Sequence, residues 1–310
     1  MSEIDNSLLD MLECPRDHTR LKLESGKLVC EHSHSYPIVC GIPVMLWDEL
    51  NSPHPAFKNS LSKAATLAQE LESNEPSTAV DSTVQAIVGA TSGYLYSHLV
   101  GNLPEYPIPE FPDQADGSGR TLLDIGCNWG RWLIAASKRD YNVIGLDPDL
   151  GALLAAQRVC AQLGVEATLV CGDSRHIPIK TDCLDIVYSY SVLQHLSKNE
   201  CKDVLSEINR TLTIGGRSLI QMPNVFGIRS SYHLLKRGYR QGNGFEVRYY
   251  TPGELVKNFR SAIGETRVFV DGFFGYRQVN FSESQNPALF KTQTIATFFQ
   301  DAKERNLKYR

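Results

Sequence analysis

Leu122-Leu123-Asp124-Ile125-Gly126-Cys127-Asn128-Trp129-Gly130-Arg131-Trp132 reads as a strand, a tight turn and the opening of a helix. The short apolar run Thr121–Ile125 has the length of a buried strand. Glycine lets a backbone approach a ligand closely and take positive φ. Asn128 tolerates the left-handed region better than most residues. In parallel α/β sheets, ligands bind in such a crevice at the carboxyl edge of the strands. Two phosphate-binding patterns are excluded. G-x-G-x-x-G finds only Gly126, because Asn128 and Arg131 stand at the other two glycine positions. G-x-x-x-x-G-K-S/T is absent.

Outward from this turn, apolar runs alternate with helical periodicity. The runs are Thr121–Ile125, Val143–Leu146, Thr168–Val170, Leu184–Tyr188 and Ser218–Gln221. The helical segments are Gly130–Arg139, Leu150–Leu163 and Lys198–Leu212. That alternation predicts an α/β fold, a parallel sheet with helices on both faces. Thr251-Pro252-Gly253-Glu254 opens a further helix with a capping box. Arg267–Val270 and Thr294–Phe299 are expected as two closing strands. Upstream, 56–72 and 80–100 read as helices of a connector over 49–120. Pro104 to Gly119 reads as a loop.

The acidic-x-G-x-N-x-G series of Asp124, Gly126, Asn128 and Gly130 resembles motif I of class I S-adenosylmethionine (SAM) dependent methyltransferases. The resemblance continues over about 121–224. Val143–Asp147 ends a strand in an acid, Cys171-Gly172-Asp173-Ser174 follows the next, Asp185–Leu196 the fourth, and Leu212–Gly216 supplies a glycine turn before the fifth. It implies a Rossmann-like sheet with SAM as cofactor. Asp124 would hold the methionyl amino group, and Gly126, Cys127, Asn128 and Gly130 would line the methionyl and ribose side. Asp147 and Pro148 would take the ribose, and Gly172, Asp173 and Ser174 the adenine. Ser189 and Tyr190 would close the pocket floor. Tyr94 and Tyr96 either lid the cofactor or pack helix against sheet.

Residues 1–48 are dense in Cys and His. Cys14-Pro-Arg-Asp17-His18 and Cys30-Glu-His32-Ser33-His34 have the paired short spacings of two zinc knuckles. A unit this small commonly needs such a staple. Leu8–Pro15, Leu28–Cys30 and Tyr36–Leu46 resemble the Trm112-like zinc-ribbon family. The family carries C-x-x-C twice; Asp17 and Ser33 replace the second Cys of each pair here. Two readings stay open: Cys14, His18, Cys30 and His34 rebuild a zinc site, or the domain is a metal-free relic held by its apolar core.

The segment 223–250 follows the fifth strand as an insertion in a 121–310 methyltransferase domain. From 229 to 250 it carries five basic residues and one acidic, net +4, with aromatics interleaved. It reads as a substrate lid for an anionic acceptor, with Arg229, His233, Arg248 and Tyr249 as contacts. His195, after strand four, is the candidate base, since a neutral imidazole takes a proton near pH 7. Tyr190 is a second candidate, orienting the acceptor. The acceptor is expected to be a small or lipid-like molecule offering an O, N or C nucleophile. An RNA or protein methyltransferase and a catalytically silent SAM-binding scaffold are the rival readings.

Composition bounds the rest. The 310 residues carry 42% hydrophobic and 21% charged side chains, enough for a packed core. The net charge of −4 argues against a surface built to neutralise nucleic acid. The first fifty residues, with four basic and nine acidic side chains, argue against it further. No apolar run approaches the ~18 residues of a membrane span. Eight scattered cysteines are not a small disulfide framework, and the cytoplasm is the expected compartment.

Overall fold

A computed structural model describes residue 4 and residues 6–67, 80–94, 96–113 and 115–269. The central sheet has five parallel strands in the order β7-β6-β5-β8-β9. They are β5 (Thr121–Ile125), β6 (Asn142–Asp147), β7 (Ala167–Cys171), β8 (Leu184–Tyr190) and β9 (Leu212–Gln221). Helices α4 (Arg131–Ser137), α5 (Leu150–Gln162) and α6 (Lys198–Thr211) make the crossovers. β5 is central and nearly all buried, as its unbroken apolar run requires. The order reverses at β5: the chain leaves it toward β6 on one side and returns to β8 on the other. That switch point opens the crevice above Gly126.

The fifth strand differs from expectation. Leu212 pairs with Leu184, but the register then slips until Arg217 faces Ile186. Gly215, at φ +85°, lies inside this irregularity and not in a separate turn. Residues 267–269 form no strand, and Val270 and Thr294–Phe299 lie outside the described residues.

The N-terminal segment forms a four-stranded antiparallel meander: β1 (Leu21–Glu24), β2 (Lys27–Cys30), β3 (Ser35–Val39) and β4 (Ile42–Pro43), after α1 (Asn6–Met11). It shares its core with the large sheet. Leu12, Leu28, Tyr36 and Met45 belong to the same cluster as Leu123, Val170, Ile179 and Leu205. Val44 pairs in parallel with Cys171, and the Met45 N–H donates to the Cys171 carbonyl. The meander thus covers the otherwise open β7 edge. Arg210 donates to Glu13 at 2.6 Å, adding a largely buried ion pair to the joint.

Helix α2 (Phe57–Leu67) lies in the connector and packs on β3 and α5. The second expected connector helix is shorter than 80–100: α3 spans Gln85–Tyr94, with one 3-10 turn at Ser97–Leu99. Beyond β9, the insertion holds α7 (Ile228–Lys236) and returns through an Asn224–Tyr250 bridge to α8 (Pro252–Ala262). The capping box at Thr251 and Glu254 forms as the sequence indicates.

Candidate active site

The turn after β5 has the backbone its residues permit. Gly126 is at φ +74°, Asn128 at +49° and Gly130 at +84°. A Cβ on Gly126 would stand 2.3 Å from Val192, so only glycine fits there. The turn is stitched to the end of β6. Gly126 N–H donates to the Leu146 carbonyl at 2.7 Å, and Asn128 N–H to Asp147 Oδ2 at 2.9 Å.

Asp124 lies at the foot of this turn, 1% exposed, and neither carboxylate oxygen has a hydrogen-bond partner among the described residues. Burial pushes its pKa well up, the Arg131 cation pulls it partly back, and Asp147 adds to the rise. A buried carboxylate without donors is costly. An ammonium group is the partner that would relieve it, so the site fits the amino end of SAM. Asp147 is buried too, and burial raises its pKa. Each of its oxygens accepts one backbone N–H, from Asn128 and Asp149. A carboxylate has about four acceptor positions, so a ribose diol could still be held.

Asp173 is placed differently. Arg175 grips it through Nε to Oδ1 at 2.9 Å and Nη2 to Oδ2 at 2.8 Å, and the Arg175 backbone N–H adds a third bond. Ser52 supplies a fourth. These donors occupy the acceptor positions a carboxylate offers. The adenine amino group expected there finds none free; Gly172 beside it is buried and Ser174 half-buried. Gly172 itself donates its N–H to the Asp147 carbonyl at 3.1 Å.

The rest of the set divides likewise. Cys127 is fully buried beneath the turn. Pro148 offers its carbonyl to Ser60 at 2.7 Å. Ser189 is buried, with its hydroxyl on the Ile125 carbonyl at 3.0 Å, and so ties β8 to β5. The Tyr190 ring lies 5.0 Å from Trp132 and 5.4 Å from the Arg131 guanidinium. Tyr96 is 2% exposed and bonded to Arg131, which is the packing alternative. The Tyr94 side chain lies outside the described residues.

His195 ends a 3-10 turn at the carboxyl edge of β8. Its Nδ1 stands 2.7 Å from the Phe245 carbonyl, and the rings stack at 4.1 Å. Burial lowers its pKa, more than the Phe245 carbonyl raises it. Arg248 is not poised for an acceptor. It is buried, and its Nη1 donates to the carbonyls of His195, Gly244 and Glu246 at 2.7 to 3.0 Å. It brackets the insertion onto the His195 turn. Tyr249 lies 5.2 Å from the Arg237 guanidinium. His233 is exposed on α7, and the Arg229 side chain lies outside the described residues.

In the N-terminal meander, Cys14, Asp17, Cys30 and His34 bring one ligand atom each within 4.8 Å of one another. Cys14 Sγ is 3.4 Å from His34 Nδ1, and Cys30 Sγ is 3.6 Å from Asp17 Oδ2. Tetrahedral zinc with its usual bond lengths places a sulfur and a nitrogen ligand roughly 3.5 Å apart. The donor set fits zinc. His18 is not in it: its Nδ1 turns outward to Glu13 at 2.6 Å. Asp17, the residue at the position of the missing cysteine, stands there instead. His18 stands at φ +58°, in the left-handed region.

Three functional residues escaped the sequence reading. Arg131 acts on Asp124 through its charge and Arg175 bonds Asp173, relations recognisable only once the chain is folded. Ser60 comes from the connector, ninety positions before the Leu150 N–H it accepts from at 3.0 Å. No periodicity signals such a contact.

Comparison with known proteins now bears on this geometry. Residues 122–216 match the family described as methyltransferase domain. Residues 122–216 are a class I methyltransferase domain of the SAM-dependent kind. The chain is 33% identical over 113 residues to a tRNA U34 carboxymethyltransferase of Marinobacter nauticus, covering 36% of this chain and 33% of that protein. It is 31% identical over 94 residues to an ajmaline N-methyltransferase of Rauvolfia serpentina, covering 29% and 32%. The chain thus spans about a third of the length of these two relatives. A stretch of 47 residues is 45% identical to a UPF0434 protein of Vesicomyosocius okutanii, covering 15% of this chain and 80% of that protein. Over that stretch the chain belongs to the UPF0434 family. Among the described residues, no helix is long and apolar enough to cross a membrane.

Proposed function

We propose that the protein transfers the methyl group of SAM to a nucleophile on a small or lipid-like acceptor. The observation that carries this is Asp124: a fully buried carboxylate without a hydrogen-bond donor among the described residues, under a turn whose glycines expose backbone to a ligand. SAM, when bound, supplies an electrophilic methyl group. Asp124 holds the amino end, Asp147 the ribose, and the backbone at 172–174 the adenine. His195 is neutral near pH 7 and takes the proton of the acceptor. The rings of Tyr190 and Trp132 wall the crevice and exclude water.

The insertion supports a lipid-like acceptor over RNA. Arg237 and Arg240 are engaged within it, by the Val247 carbonyl and Glu246, and Arg248 by the carbonyls of Gly244, Glu246 and His195. Phe226, Tyr232, Leu235 and Tyr239 stand exposed beside them among the described residues. Titration calorimetry with SAM tests the reading: affinity in the micromolar range is expected, and no binding heat ends it. Asp147→Ala should weaken binding by tenfold or more.

We also propose that Cys14, Asp17, Cys30 and His34 hold structural zinc. Elemental analysis should find one equivalent in the purified protein. Asp17→Ala should lose most of it, while His18→Ala retains it. Zinc below a tenth of an equivalent in the parent protein ends the proposal.

A further inference from the structure

Phe245, in the insertion, stands between two histidines. Its ring stacks on His195 with planes 7° apart and meets the His54 ring edge-on at 5.1 Å. His54 comes from the connector, in a stretch fastened to the rim of the sheet. Ser52 reaches Asp173, the Asn51 carbonyl accepts from Arg175 at 2.9 Å, and Ser60 bonds Pro148 and Leu150. His54 is thereby held between the end of β6 and the His195 turn, and its charge bears on both Asp147 and His195.

Backbone partners set the tautomers. In a neutral imidazole, the partner of one nitrogen decides what the other presents. A carbonyl only accepts, so His195 carries its proton on Nδ1, toward Phe245, and presents a lone pair at Nε2. His54 Nδ1 accepts from the Ala56 N–H at 3.2 Å, so its proton is on Nε2. Neither Nε2 has a partner among the described residues. The two rings present opposite groups: one lone pair, one N–H.

We propose that His54 is a second acceptor-site residue, paired with His195, and that the pair selects an oxygen nucleophile. This rests on the methyltransferase reading above. A hydroxyl has a proton for His195 and two lone pairs, one to attack and one to accept from His54. A neutral amine has one lone pair, needed for attack, and leaves the His54 N–H unmet. A carbon nucleophile has none to spare. An unmet donor in a closed site is a strong discriminator. The acceptor proton moves to His195 Nε2, and His54 keeps its own.

Two measurements on the full chain test this. The first is nitrogen-15 NMR of labelled histidines, with and without S-adenosylhomocysteine. His195 should show the Nδ1–H tautomer and His54 the Nε2–H tautomer. His54→Asn can keep the Ala56 contact through its side-chain oxygen, and His54→Phe keeps a ring against Phe245. Both should raise the His195 midpoint, because the His54 ring no longer opposes its charge. Arg248 also opposes that charge and is unchanged in both. An Nδ1–H tautomer at His54, or an unmoved midpoint in both variants, overturns the pairing. The second measurement incubates the protein with carbon-13 methyl-labelled SAM and a metabolite extract. Labelled O-methyl products are expected, falling tenfold or more in His54→Asn while SAM affinity holds within threefold. N-methyl or C-methyl products overturn the inference. No binding of SAM by calorimetry, with the tautomers as stated, ends the methyltransferase reading and leaves the pairing itself standing.

Discussion

Asp124 and Asp173 are both buried acids at the carboxyl edge of one sheet, yet they are built for opposite ends. At the floor, under β5, Asp124 has no donor among the described residues, and burial raises its pKa. At the rim, after β7, Asp173 is held by Arg175 and Ser52, which keep its pKa low against burial. The first is the acid proposed to meet the ligand; the second holds the connector to the sheet. Arg175 spans that joint, reaching Glu200 at 2.8 Å and the Asn51 carbonyl at 2.9 Å. A strand-ending acid is therefore not a binding residue by position alone. Its donors decide.

The largest effect should come from breaking the rim. Asp173→Ala leaves the Arg175 guanidinium mostly buried and without its bidentate partner. Removing one member of a buried pair costs about 3–5 kcal/mol, and the lower end is expected because Glu200 and the Asn51 carbonyl still hold the cation. Urea denaturation should show that loss at pH 7. The gap from the parent should close as acid titrates the parent's own Asp173. A lowered folded pKa contributes stability above the unfolded value, near pH 4, and that stability is lost as pH falls through the folded pKa.

Asp124→Asn should break the floor with the opposite sign. SAM affinity should fall by a hundredfold or more, about 3 kcal/mol. Stability should rise instead of fall. A raised folded pKa means that the protonated acid favours the fold, and that stability is lost as pH rises through the folded value. The variant therefore matches the parent near pH 3 and gains on it toward neutrality. Thermal melts across that range check it; a less stable variant at pH 7 would show that Asp124 has a partner in the fold.

The sheet was legible because its strands are short, apolar and separated by turn residues, and burial on both faces leaves little else for such runs to do. The turn at 124–130 was legible for the same reason as its φ values: only glycine and asparagine stand where positive φ is needed. Asp173 was misjudged because its partner is set by an arginine side chain two residues on, which position in a strand does not reveal. His18 was preferred over Asp17 because histidine is the commoner zinc ligand, whereas in the fold His18 bonds Glu13. Arg248 looked like a ligand for anions because it lies in a basic segment; burial against three carbonyls makes it a bracket. Chemistry was readable from composition in each case, and direction was not.

The smallest effect asks whether rim and floor are separable. Ser60 Oγ accepts from the Leu150 N–H at the start of α5 and donates to the Pro148 carbonyl, next to Asp147. Asp149 caps the following N–H groups of Gly151 and Ala152, so the helix start has two independent caps. Ser60→Ala removes one and should cost about 1 kcal/mol, as loss of a capping hydroxyl does. Asp147 keeps its own bonds from Asn128 and Asp149, neither of which involves Ser60. SAM affinity should therefore stay within threefold of the parent. A tenfold loss would mean that the connector shapes the ribose site through Pro148, and that the floor is not complete without its rim.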